Sequence, residues 1–211
     1  MKDHNSIAQR FAASALSVML ARCIAIVAMF GLNAILARWL TPGDFGLFIF
    51  FFSLFALLSL IACLGLNRAV VTRLARKDGV SKIAAQRLLH RSLLITLVVS
   101  IVTGTMAGAA GASFVPDDTI HPVLIATLLG ATVVLRAMHL VLAEVARGFH
   151  ERLMSNLFGG CAGGPLPHLV FVGLLIVVHP ETLIEALGLY CLAFAVTLPV
   201  IWRRSFSLVN A

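Results

Sequence analysis

Charge is what this sequence lacks. Only 12% of its 211 residues are Asp, Glu, Lys or Arg, 60% are hydrophobic, and mean hydropathy is +1.02. A soluble domain is about half apolar and about a quarter charged. One core of this length cannot enclose the excess. An ordinary soluble domain is therefore excluded and an integral membrane protein expected. The motifs of catalysis are also missing. There is no P-loop, HExxH, GxSxG, GxGxxG or DxD-like spacing, and Gly159, Gly160, Gly163 and Gly164 follow no nucleotide-binding strand. Glu144 and Glu151 form no acid–base pair with a second carboxylate. No enzyme, catalytic residue or cofactor is expected. No CxxC or Cys/His spacing exists, so no metal site is expected either. Cys23, Cys63, Cys161 and Cys191 each fall inside an apolar run and read as buried small hydrophobes. The apolar runs do not alternate with polar residues, which excludes barrel strands. The N-terminus has no small-residue cleavage site of the signal-peptide kind.

Long apolar runs are what is there. About twenty apolar residues carry a helix across the hydrocarbon core. Six runs qualify, at about residues 14–37, 45–66, 92–112, 122–146, 156–178 and 183–202. The fold class expected is all-α, a single transmembrane bundle of about six helices. The fifth run opens on GGCAGGPLPH and leaves only Pro165 to Val178 unbroken, which is too short to cross alone. Its glycine-rich part is expected in the membrane, as a kinked helix packed closely on its neighbours. The other reading is a helix that begins late and lies partly in the interface.

Charge alternates between the connections. Arg68, Arg73, Arg76, Lys77, Lys82, Arg87 and Arg91 follow the second run. Arg147 and Arg152 follow the fourth, Arg203 and Arg204 the sixth, and Lys2 and Arg10 precede the first. The intervening connections hold Asp44, Asp117, Asp118 and Glu181. The positive-inside rule then puts both termini in the cytoplasm. It also explains the net charge of +7 without a nucleic-acid partner, because the basic residues sit between membrane runs. Ser81 is expected to cap a helix from about Lys82, whose Lys82, Arg87 and Arg91 face anionic membrane lipids.

The segment ARWLTPGDFGLF at 37–48 reads as the outer turn of a helical hairpin. Arg38 and Trp39 suit the interface. Pro42 and Gly43 are expected to end the first helix, and Asp44 to cap the second. Together with LGLNRAVVTRLAR further on, the segment resembles the polysaccharide-export and oligosaccharide-lipid flippases of the multidrug/oligosaccharidyl-lipid/polysaccharide exporter superfamily. The matching residues are Arg38, Leu40, Pro42, Phe45, Gly46, Gly65, Leu66 and Arg73. The resemblance is strongest over about residues 10–80. It implies the N-terminal bundle of a two-bundle flippase, which would act with a partner lobe or as a homodimer. It implies movement of polyprenyl-diphosphate-linked saccharide across a bacterial inner membrane. A small-molecule antiporter of the same superfamily and a non-transporting scaffold are the alternatives.

Ionisable residues inside the runs are candidates for the site. Arg22 lies about 12 Å into the first run. Asn33 shares its azimuth, and Ser14 is on a neighbouring one. Arg136 lies in the fourth run, with Thr132, His139 and Arg147 on the same face. The resemblance implies that Arg22 and Arg136 line a cationic cavity open to the cytoplasm and meet the diphosphate, with Asn33 and His139 beside them. An arginine's planar fork suits phosphate oxygens. Against this, Arg22 can snorkel to the interface, and Arg136 can pair with Glu144 or a backbone carbonyl. His139 reads as a hydrogen-bonded packing residue or a proton carrier, and Asn33 as an interhelical donor.

Overall fold

The computed structural model describes residues 2–75, 82–112, 122–159 and 164–210. Side chains of 2–15, 17, 112 and 152 are not among them. Among the described residues eight helices follow in order: α1 (Lys2–Trp39), α2 (Pro42–Ala62), α3 (Leu66–Leu74), α4 (Lys82–Ala112), α5 (Pro122–Gly148), α6 (Arg152–Phe158), α7 (Pro165–Val178) and α8 (Leu183–Asn210). No strand occurs among the described residues. Five helices, α1, α2, α4, α5 and α8, are long and apolar enough to cross a membrane, and α7 is a shorter apolar helix. The fold is an all-α membrane bundle.

Helix α5 is its axis. Every residue from Arg136 to Ala146 is buried, as expected of a helix surrounded on all sides. It packs against α2, α3, α4, α6 and α8. The α4 contact is the closest. Ser92, Thr96, Ser100, Gly104 and Gly108 recur every four residues and are all buried. A side chain at Gly104 would lie 2.8 Å from the Gly130 carbonyl oxygen, so only hydrogen there lets the backbones touch. Membrane helices gain contact in this way, because burial of apolar surface does not drive their association. Helix α2 meets α5 and α8 through Phe48, Phe51 and Phe55, all buried at helical spacing.

The Thr41 turn differs from expectation. Pro42 is the first residue of α2 and does not end α1. A proline fits there because the first helical N–H has no intrahelical partner. The cap is Thr41, whose hydroxyl accepts from the Asp44 N–H at 3.2 Å and donates to the Asp44 carboxylate at 2.9 Å. Asp44 thus stands in the first turn, where its charge meets the helix dipole. The expected cap at Ser81 lies outside the described residues, and α4 is helical from Lys82, the first residue described after it.

Three further expectations change. Two helices outrun the apolar runs: α1 extends to Lys2 and α8 on to Asn210. Hydropathy marks the immersed part of a helix, and the hydrogen-bond ladder continues past it. The 156–178 span is not one kinked helix. It divides into α6 and α7, with Gly159 and Gly164 in extended conformations. Pro165 disfavours helical geometry at Gly164 and offers no N–H of its own. At 14 residues α7 is about 21 Å long, short of a hydrocarbon core of about 30 Å. Residues 160–163, with Cys161, lie outside the described residues. Finally, Cys63 is buried, but Cys191 is partly covered and Cys23 is exposed. Exposed here means uncovered by other protein, and a thiol is apolar enough to face lipid.

Candidate functional site

Arg136 stands near the middle of α5, about 21 Å along from Pro122 and about 18 Å from Gly148. It is 2% exposed. One guanidinium nitrogen donates to the Tyr190 hydroxyl of α8. The guanidinium carbon lies 5.7 Å from the Phe52 ring centre and 5.6 Å from that of Phe194. Helices α2, α5 and α8 thus each supply a wall, and the aromatic faces attract the cation. Tyr190 is held by Phe48, Phe52, Phe55, Phe171 and Phe194, with ring centres 5.1 to 6.2 Å away.

Two histidines join the cluster. His139 is 1% exposed. Its Nδ1 lies 2.9 Å from the Leu135 carbonyl, which can only accept, so Nδ1 carries the proton. Its Nε2 lies 3.1 Å from the Thr197 hydroxyl. Both ring nitrogens thus have a polar neighbour within the bundle. His168, on the first turn of α7, is 1% exposed, and its Nδ1 lies 2.8 Å from the Gly164 carbonyl. Its Nε2 has no hydrogen-bond partner among the described residues. Phe194 borders both imidazoles, at 5.1 and 6.2 Å.

Of the two alternatives for Arg136, a pair with Glu144 or with a backbone carbonyl, the first is out of reach. Eight helical residues place the two about 12 Å apart along the axis. Both Glu144 oxygens instead accept from one nitrogen of Arg147, at 2.7 and 2.9 Å. Arg147 Nε donates to Ser155 Oγ at 3.0 Å and ties α5 to α6. Arg204 pairs with Glu151 at 3.0 Å, so α8 is fastened at the same end. The opposite end carries the Thr41 turn and His179, whose ring lies 4.6 Å from that of Trp39.

The other candidates stand apart. Arg22 is exposed on α1, which packs mainly against α7. It is seventeen residues from Trp39, about 25 Å of helix. Asn33 is half-buried on α1. The shared stripe with Ser14 falls partly outside the described residues. The expected open cavity at Arg136 is closed by aromatic rings in this conformation. A groove of about 480 Å³ does lie between α4 and α5, lined in part by Thr105, Ala109, Ala126 and Thr127. Both threonine hydroxyls turn back to their own helix, to Val102 at 2.9 Å and Val123 at 2.7 Å. The groove therefore presents hydrocarbon and holds none of the candidates.

A sequence profile described as "Polysaccharide biosynthesis protein" matches residues 9–156, well over half of the chain. The chain belongs to the polysaccharide biosynthesis protein family. Family and fold together make it a multi-pass membrane protein of transporter type, with a role in polysaccharide export or flipping. The match takes in Arg22, Asn33, Arg136 and His139 and stops at α6. His168, Tyr190 and Phe194, which complete the cluster, lie beyond it. No curated protein and no solved structure matched the chain. Sequence reasoning passed over Tyr190, His168, Phe52 and Thr197. The one available signal was Tyr190, the only tyrosine, whose polar tip inside an apolar run needs a partner.

Proposed function

We propose that this protein translocates polyprenyl-diphosphate-linked saccharide units across a bacterial inner membrane, without catalysing a covalent step. One observation carries the reading: a guanidinium buried near the midpoint of the central helix. A charge at that depth is costly to keep, and where it is kept it commonly marks a substrate path. Arginine matches the cargo, since its fork pairs with diphosphate oxygens and holds its proton. Transporters place such sites near the midplane and alternate access around them. In the conformation described, rings from α2 and α8 close over Arg136, so the reading requires these two helices to part around α5 when substrate is taken up. Arg22 meets anionic head groups at the inner leaflet, Asn33 lies about 16 Å further along α1, and His139 braces α8 through Thr197. Both termini face the cytoplasm, in keeping with the basic character of the Arg204 end. A partner lobe or a second copy completes the path.

The reading is tested in inverted membrane vesicles from cells making or lacking the chain. A fluorescent polyprenyl-diphosphate disaccharide is added outside, and its protection from an impermeant quencher is followed. Faster protection in vesicles that hold the chain is expected. Equal rates in the two preparations contradict translocation.

A further inference from the structure

Arg136 and His168 share three neighbours. Phe52 lies 5.7 Å from the guanidinium and 5.9 Å from the imidazole. Phe194 lies 5.6 Å from the first and 6.2 Å from the second. Tyr190 accepts from Arg136, and its ring centre is 6.2 Å from that of His168. The rings of Phe52, Tyr190 and Phe194 border the imidazole, a setting that suits a phenylalanine as well. What histidine adds is a nitrogen. Because Nδ1 donates to the Gly164 carbonyl, the neutral ring presents a lone pair at Nε2. That atom is buried and has no hydrogen-bond partner among the described residues. Roughly nine in ten buried polar atoms are paired, so an exception calls for a cause.

We propose that His168 recognises the saccharide: its Nε2 accepts a hydrogen from a sugar hydroxyl while Arg136 holds the diphosphate. This rests on the function proposed above and adds the group that reads the sugar. The chemistry divides the ligand unambiguously. An ionised diphosphate only accepts hydrogen bonds, so it suits Arg136 and would be repelled by a lone pair. A saccharide hydroxyl donates, and it suits His168. The carbonyl that fixes the tautomer is four residues back at the same helix start. A shift of α7 as a unit therefore carries the ring with its acceptor side still facing the same way.

The test measures dissociation constants of the full chain in nanodiscs for two probes, decaprenyl diphosphate and decaprenyl-diphosphate-linked N-acetylglucosamine. The readout is the ratio of the two. The wild type is expected to prefer the glycosylated lipid. His168→Phe is expected to reduce that preference roughly three- to tenfold, the worth of one ordinary hydrogen bond. His168→Gln, which keeps an acceptor near the Nε2 position, restores it. His168→Leu serves as a second acceptor-free variant should the phenylalanine fail to fold. Arg136→Gln is expected to weaken both probes and leave the ratio in place. A ratio unchanged by Phe and Leu overturns the role of His168, as does a loss that Gln does not restore. If Arg136→Gln leaves both affinities intact while the His168 effect stands, the diphosphate reading falls instead. Failure of the wild-type chain to bind either lipid overturns both.

Discussion

Tyr190 shows how much a single hydroxyl governs in this site. It receives a hydrogen bond from Arg136 where no bulk water is at hand. Tyr190→Phe keeps the ring and its five aromatic neighbours but removes that acceptor. Leaving a buried donor unsatisfied costs about 1–3 kcal/mol, so the variant is expected to unfold at lower temperature in detergent. A melting curve equal to wild type would mean that the hydroxyl bears little of the load. The arginine at 136 was legible in the sequence, because a charge within an apolar run stands out. Its partners were not. Phe52 and Phe194 are two of fourteen phenylalanines, and nothing in their spacing says which pair flanks a guanidinium. The same holds for Glu144, whose pairing with Arg147 follows from helix rise and not from charge alone.

At the scale of helices, the α4–α5 seam makes the sharpest prediction. Gly104→Leu drives a side chain into the Gly130 backbone, and overpacking of this kind costs about 1–3 kcal/mol or more. Thr105→Leu, one residue on, faces the open groove and is expected to change stability by less than about 0.5 kcal/mol. Comparing their unfolding midpoints checks the seam, and equal effects would refute it. Thr41→Ala removes the α2 cap and is expected to cost about 1 kcal/mol in the same measurement. Helix existence was readable from hydropathy in every long element. Helix ends were not, since α1 and α8 run on through polar residues that hydropathy discounts. The α6–α7 break was signalled by Gly164-Pro165. Two separate helices were not deducible from that signal, because a proline also permits a kink.

For the molecule as a whole, membrane residence follows from composition, and the bundle agrees with it. The direction of insertion is a prediction. In a cysteine-free background, Thr41→Cys is expected to react with an impermeant thiol reagent added to intact cells, and Arg73→Cys only after the membrane is opened. The reverse pattern would invert the topology. The polysaccharide family was legible from the first turn taken together with LGLNRAVVTRLAR at 64–76, whose wording is more specific than a helical hairpin requires. The site needed the fold, since α2, α5, α7 and α8 are far apart in sequence. The central claim is that the Arg136 guanidinium serves transport. It is tested most directly by surface polysaccharide exported from cells whose only copy carries Arg136→Gln, at matched protein level. Loss of a charge-assisted hydrogen bond predicts a fall in export of about ten- to a hundredfold. Export at the wild-type level would contradict the account.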